Sequence, residues 1–177
     1  GQGAFTLVVK LVPGGPASEW LRAMAVGTRI RFTGPMGFFV LELAHPGDVV
    51  FGATGTGIAP IVPMIEEVLE RPGESGRILL FWGLRDEGDR FWQREIEELS
   101  ARGAGRVEAR LFLSRPGESF AGERGRINDA LFASLPSLSR PTFYLCGNGA
   151  MIREVKAGLV ERGVDRKRQI RTEAFFD

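Results

Sequence analysis

The sequence predicts an α/β fold, in which a five-stranded parallel, doubly wound sheet follows a shorter stretch of antiparallel β-structure. From residue 48 onward, short apolar runs with strand character alternate with runs of helical periodicity. The run Ile78–Trp82 is almost wholly apolar, as expected of a parallel strand that is covered on both faces. A hydrophobic content of 44% in 177 residues is enough for a substantial core.

The first part of the chain is predicted to contain antiparallel strands and one helix. Apolar and polar side chains alternate over residues 4–12, which we expect to be a strand, and two further strands are expected at 29–33 and 38–43, around the turn at 34–37. A short helix is expected over residues 19–24, with Ser18 as its N-cap.

The turn sequence His45-Pro46-Gly47 indicates a boundary between a first domain, residues 1–46, and a second domain, residues 47–177. Strands of the second domain are expected at 49–51, 77–82, 107–113, 141–146 and 169–175. Helices are expected between them at 59–69, 91–102, 127–135 and 150–162. Ligands of such sheets bind outside the carboxyl ends of the strands.

A glycine-rich turn joins the first strand of the second domain to its first helix. It reads Gly52-Ala-Thr-Gly-Thr-Gly-Ile-Ala-Pro60. The first N–H groups of a helix lack intrahelical partners, and together with the helix dipole they favour an anion such as a phosphate. Gly55 would permit a tight turn, and Gly57 would let the backbone approach a pyrophosphate closely. We therefore predict a dinucleotide site, although a glycine-rich turn without a ligand would show the same pattern.

The composition of the chain argues against several classes of function. A net charge of +1 gives no reason to expect a nucleic-acid partner. The single cysteine, Cys146, excludes an internal disulfide, and the single histidine, His45, gives no sign of a metal site. The acidic run at 86–89 is expected to be a solvated loop. No apolar run has the length of a membrane span, so we expect a cytoplasmic protein.

Several motifs follow the order found in the ferredoxin–NADP reductase-like flavoprotein family. Ala53–Pro60 resembles the pyridine-nucleotide loop of that family, and Gly15–Leu21 resembles its G-x-x-S-x-x-L segment at the FAD pyrophosphate. Further similar segments are Trp82–Arg85, Leu113–Arg115, Cys146–Gly149 and Thr172–Phe176. The family's R-x-Y-[ST] motif, on an early barrel strand, is not found. The chain therefore resembles a member that lacks the N-terminal part of the FAD barrel.

This resemblance implies part of a Greek-key flavin-binding β-barrel followed by an NAD(P)-binding α/β domain. It implies FAD and NADP, or NAD, as cofactors. Contacts to FAD are expected at Gly15, Ala17 and Ser18. Contacts to the nicotinamide cofactor are expected at Gly52, Thr54, Gly55, Thr56, Gly57, Pro60, Arg85, Ser114, Arg115, Arg124, Gly147, Asn148 and Gly149. The pair Ser114-Arg115 resembles one that grips the adenosine 2′-phosphate, which favours NADPH, although Ser-Arg-Pro also occurs in NADH-linked relatives.

Three residues with catalytic roles are implied by the same resemblance. Cys146 would lie beside the nicotinamide and act through packing, and a small buried thiol without a site is the alternative. Glu173 would lie near the hydride path, although a solvated acid fits its position as well. Phe175 resembles the ring that covers the flavin and moves aside for nicotinamide, with core packing as the alternative.

The predicted function is therefore an NAD(P)H-dependent flavoprotein reductase. Electrons would pass from NAD(P)H through FAD to a one-electron carrier such as ferredoxin, flavodoxin, a haem protein or an oxygenase component. Two alternatives stay open: a redox-inactive NAD(P)-binding module, and a subunit that needs another chain for its flavin.

Overall fold

The computed structural model describes residues 3–34 and 36–176, so that Pro35 lies outside the described residues. The chain divides into two compact units, one ending at Val40 and the other beginning at Leu41. This division falls six residues before the boundary expected from the turn at residues 45–47.

The expectation of antiparallel strands in the first unit is wrong for the residues described there, which form no strand ladder. The alternating side chains of Phe5, Leu7 and Val9 are 61%, 72% and 50% exposed. Alternation predicts which side chains share a face, but a strand also needs a neighbour that completes its hydrogen bonds. The described part of this unit therefore presents an uncovered apolar face.

The one helix of the described first unit, α1 (Pro16–Arg22), begins three residues earlier than expected. Gly15 occupies the N-cap position and Pro16 the first turn, where a missing N–H costs nothing. Ser18 consequently lies inside the helix. The expectation that it caps the helix is therefore wrong. Its hydroxyl oxygen instead accepts a hydrogen bond from the Val12 N–H at 2.8 Å.

The second unit confirms the predicted parallel, doubly wound sheet. Its strands are β1 (Val49–Thr54), β2 (Ile78–Leu84), β3 (Val107–Leu113), β4 (Glu123–Arg124), β5 (Thr142–Asn148) and β6 (Ile170–Phe176). Its helices are α2 (Ile61–Glu70), α3 (Gln93–Arg102), α4 (Ile127–Ser134) and α5 (Gly149–Glu161). All strand pairs are parallel, in the order β4-β3-β2-β1-β5-β6. The sheet has one strand more than expected because β4, with two residues, is too short to show a periodic pattern.

Helices cover both faces of the sheet. Alternate side chains of the strands, such as Leu79, Phe81 and Phe143, form one core cluster with buried residues of α4 and α5. The buried side chains of α2, among them Ile61 and Ile65, are outside that cluster, as expected for helices on the opposite face. The strands are consequently buried on both sides, and their carboxyl ends meet at one edge of the sheet.

Asp48 connects the amino ends of three central strands. Its carboxylate accepts hydrogen bonds from the Arg77 N–H at 2.8 Å, before β2, and from the Ser139 N–H at 2.9 Å, before β5. Burial opposes ionisation of Asp48, but these backbone hydrogen bonds and the Arg77 guanidinium outweigh it and lower the pKa of the carboxyl. Asp48 therefore holds the edge of the sheet opposite to the predicted ligand edge.

Residues 42–45 belong to the second unit, and polar contacts connect them to the rest of it. The Nε2 of His45 lies 2.9 Å from the hydroxyl of Tyr144, and its Nδ1 lies 3.3 Å from a carboxylate oxygen of Glu74. The Glu42 N–H donates to the same hydroxyl at 3.0 Å. His45 therefore has partners for both ring nitrogens within this unit, which gives the only histidine of the chain a structural role.

Candidate functional site

The candidate site is built around the turn that follows β1. A short 3₁₀ helix, Gly55–Ile58, leads from the strand into α2. Gly55 has a φ of +55°, in the left-handed region that favours glycine, as the predicted tight turn requires. Nothing lies within 4 Å of the position that a Cβ on Gly55 would occupy. The turn therefore presents open space beside its backbone, which fits the approach of a pyrophosphate.

Pro60 takes the N-cap position of α2, one residue before the first helical position where we expected it. The preceding residues, Gly55–Ile58, form a 3₁₀ helix, and α2 therefore begins only at Ile61.

Gly57 and Gly147 allow the turn after β1 and the end of β5 to lie close together. A Cβ on Gly57 would lie 2.3 Å from the Cys146 carbonyl oxygen, and a Cβ on Gly147 would lie 2.4 Å from Oγ1 of Thr54. The same Oγ1 accepts a hydrogen bond from the Asn148 N–H at 2.9 Å. These glycines therefore let the end of β5 close against the turn after β1, a reason that the sequence pattern did not reveal for Gly57.

Gly52 lies within the sheet, two residues before the end of β1. A Cβ there would meet the side chain of Leu145 at 2.8 Å and that of Ile127 at 3.5 Å. The structure thus shows that Gly52 makes room for core packing, whereas the contact to a pyrophosphate expected of it stays a prediction.

Cys146 and Glu173 lie side by side on neighbouring strands, while Phe175 follows near the end of β6. Cys146 is fully buried, and burial together with the nearby charge of Glu173 raises the pKa of its thiol to about 12. The thiol is therefore protonated near neutral pH, which agrees with an influence through packing alone. The ring of Phe175 is 42% exposed and free to contact a ligand.

Arginines gather at the ends of β2, β3 and β4. The Arg115 N–H donates to the Arg85 carbonyl at 2.7 Å, so that these two exposed residues are neighbours, and Ser114 lies beside them with its N–H on the Leu84 carbonyl. Arg124, on β4, donates from its guanidinium to the carbonyls of Gly117, Glu118 and Phe120. This corner of the sheet fits an anionic group, and Arg124 also holds the loop beside it.

Asn148 caps the helix that follows β5. Its Oδ1 accepts hydrogen bonds from the N–H groups of Ala150 at 3.0 Å and Met151 at 3.2 Å. The first turn of α5 therefore has partners supplied by the chain itself, with Gly149 buried at its start. The cofactor contacts expected of Asn148 and Gly149 stay predictions.

The residues expected to contact FAD lie at the start of α1. Ala17 is exposed and Gly15 half-buried, whereas Ser18 is buried. The hydroxyl oxygen of Ser18 already accepts a hydrogen bond from the Val12 N–H, which leaves its proton and one lone pair for further partners. The start of α1 thus has backbone groups that could contact FAD, but the described first unit contains only part of an FAD-binding site.

Sequence reasoning missed one polar contact at the site. The indole Nε1–H of Trp82 donates to the carbonyl of Gly55 at 3.0 Å, across from β2 to the turn after β1. The sequence pattern places Trp82 in an apolar strand and at the start of the segment Trp82–Arg85, but it indicates no role for the indole. A tryptophan at the carboxyl end of a strand beside a glycine turn was the available signal.

Comparison with known proteins agrees with this geometry. The model of the oxidoreductase NAD-binding domain matches residues 51–157, and that of the oxidoreductase FAD-binding domain matches residues 1–41. Ferredoxin–NADP reductase B of Sorangium cellulosum is 35% identical over 94% of this chain and 70% of its own length. NADH-cytochrome b5 reductase 2 of Aspergillus oryzae is 29% identical over 89% of this chain and 50% of its own.

Solved structures show the same architecture. The cytochrome P450 reductase of Amycolatopsis superposes with a TM-score of 0.84 at 29% identity, over 96% of this chain and 51% of that one. Ferredoxin–NADP⁺ reductase from Plasmodium falciparum superposes with a TM-score of 0.74 at 19% identity, which supports the fold alone.

The fold and the turn after β1 define a dinucleotide-binding α/β domain joined to part of a flavin-binding domain. The chain belongs to the ferredoxin–NADP reductase-like family, whose cofactors are FAD and NAD(P). It spans between 50% and 70% of the length of the two curated relatives described above. Within the described residues, the helices are too short or too polar for a membrane span.

Proposed function

We propose that this chain is the nicotinamide-binding part of an NAD(P)H-dependent flavoprotein reductase. The observation that carries the proposal is the open turn at Gly55, which lies beside the end of β5, where Cys146 is paired with Glu173. The family models support it, because an NAD-binding and an FAD-binding domain match in the same chain.

The residues of the second unit have distinct tasks in this function. The turn over residues 54–57 binds the pyrophosphate, and the exposed pair Arg85 and Arg115 binds the adenosine end. Cys146, as a protonated thiol, gives and takes no proton near neutral pH and supports the nicotinamide by packing. A bound FAD would supply an acceptor for the hydride of NAD(P)H that can release electrons one at a time.

NADPH is the favoured donor in this proposal, because Ser114 and Arg115 are exposed together at the end of β3. A guanidinium matches a phosphate with two parallel hydrogen bonds, which an adenosine without a 2′-phosphate cannot receive. The electron acceptor is a one-electron redox protein, as the names of the relatives suggest: they include a ferredoxin reductase and a cytochrome b5 reductase.

An absorption spectrum of the purified chain, before and after anaerobic NADPH, tests this function. A flavin spectrum that bleaches with NADPH supports the reductase. A chain that binds neither flavin nor NADP⁺ in calorimetric titration contradicts it. Titration with NAD⁺ under the same conditions measures the preference for the 2′-phosphate.

A second function deserves the same experiment, because the described first unit leaves Phe5, Leu7 and Val9 exposed and forms no strand ladder. In that function the chain binds NAD(P) but holds flavin only with the rest of the FAD domain or with another chain. A colourless chain that binds NADP⁺ supports it, and mixing with a chain that carries a complete FAD domain should then give a flavin spectrum.

A further inference from the structure

Trp82 occupies an unusual position between the sheet and the glycine turn. It lies on β2 as the register partner of Ala53 on β1, and only 3% of it is exposed. Its indole has a single polar atom, Nε1–H, which donates to the carbonyl oxygen of Gly55 at 3.0 Å. The buried indole therefore makes its one hydrogen bond to the turn that is expected to bind a pyrophosphate.

The indole is itself held in place by aromatic packing. The ring of Phe91 stands edge-on to Trp82, with centroids 5.0 Å apart and planes at 86°. The ring centroid of Trp92 lies 5.8 Å from that of Phe91. Such edge-to-face packing restricts the rotation of the indole, so the direction of its N–H is defined before any ligand arrives.

Because the peptide bond is planar, a contact that fixes the Gly55 carbonyl also fixes the direction of the Thr56 N–H. In a trans peptide, the carbonyl and the following N–H point in opposite directions. Because Trp82 holds the Gly55 carbonyl toward the buried indole, the N–H of Thr56 is directed away from it. Gly55, with its φ of +55°, is the first residue of the 3₁₀ helix Gly55–Ile58, so the indole reinforces a peptide that this helix also orients.

We propose that Trp82 is a positioning residue for the pyrophosphate of the nicotinamide cofactor, acting through its hydrogen bond to Gly55. This inference rests on the proposed function of the turn. The indole orients the Gly55–Thr56 peptide in advance, so the ligand does not have to order it on binding. Trp82 makes no contact with the cofactor itself in this role.

Calorimetric titration of the full chain with two probes tests the proposal. ADP-ribose contains the pyrophosphate, whereas AMP contains only the adenosine and one phosphate. Trp82→Phe keeps an aromatic ring and removes the donor, so we expect the Kd for ADP-ribose to rise about tenfold and that for AMP to change less than about twofold. Trp92→Phe, in the same aromatic group but without the bond to Gly55, should leave both values unchanged.

Equal weakening of both probes, or no change in either, would overturn the role of Trp82. If the wild-type chain binds ADP-ribose and Trp82→Phe binds it equally well, the function of the turn stands and only this inference fails. If the wild-type chain binds neither probe, the proposed function fails as well.

A measurement on the wild-type chain keeps the proposal testable even if Trp82→Phe does not fold. The indole N–H proton of Trp82 should exchange slowly with solvent already in the ligand-free chain, because it is buried and bonded to the Gly55 carbonyl. Fast exchange that becomes slow only when ADP-ribose is added would contradict the proposal, because the ligand would then be ordering the turn.

Discussion

Cys146 and Glu173 are register partners on the parallel strands β5 and β6, so a buried thiol and a half-buried carboxylate lie side by side at the carboxyl edge of the sheet. Burial is the main cause of the raised pKa of the thiol, and the carboxylate adds to it. The pair thus keeps the only cysteine of the chain neutral.

The first prediction concerns the reactivity of Cys146. With a pKa of about 12, roughly one thiol in 10,000 is ionised at pH 8, and only the thiolate attacks an alkylating reagent. Native chain should react with iodoacetamide at least about 100 times more slowly than urea-unfolded chain, where the pKa is near 8.5. Glu173→Gln should speed the native reaction. Equal rates in the native and unfolded chains would contradict the prediction.

The second prediction separates two glycines of the turn. Gly55→Ala should cost about 1 kcal/mol of unfolding free energy, because the left-handed φ is strained but the space is open. Gly57→Ala should cost about 3 kcal/mol or more, because its Cβ would lie 2.3 Å from a backbone oxygen of Cys146. Urea denaturation measures both. A Gly57→Ala variant as stable as Gly55→Ala would show that the two segments separate easily.

The third prediction concerns Asp48 and acid stability. The pKa of Asp48 is lowered in the folded chain, so its carboxylate stabilises the fold above the unfolded pKa near 4 and loses this effect as pH falls through the lower folded value. Asp48→Ala removes the acceptor of two partly buried N–H groups and should cost about 1–2 kcal/mol at pH 7. The difference from wild type should shrink below about pH 4.

Asp129→Asn, at an exposed position on α4, is the matched control for Asp48. It removes only the interaction of an exposed carboxylate with the first turn of α4, so it should cost less than about 1 kcal/mol at pH 7. A difference between Asp48→Ala and wild type that grows on acidification would refute the assignment.

The fourth prediction distinguishes the two arginines of the β3–β4 corner. Arg115→Ala should weaken NADPH about tenfold more than NADH, because a charge-assisted contact to the 2′-phosphate is lost. Arg124→Ala should weaken both nucleotides alike, because Arg124 holds the carbonyls of residues 117, 118 and 120. Arg94→Ala, in an exposed helical ion pair, serves as the control. A selective loss of NADPH in Arg124→Ala would assign it to the phosphate instead.

The sequence alone determined the fold class, the family and the order of the elements in the second unit. Helical and strand periodicities are local, and an apolar run such as Ile78–Trp82 identifies a buried parallel strand wherever its neighbours lie. Gly55 was also predictable, because a tight turn demands a conformation that glycine adopts most easily.

Only the tertiary structure decided how distant segments meet. Asp48 with Ser139, Trp82 with Gly55 and Gly57 with Cys146 join residues far apart in sequence, and no local pattern encodes such contacts. The prediction of strands in the first unit was wrong for the same reason. Alternation of side chains is a local pattern, whereas a strand forms only when another segment supplies its hydrogen bonds.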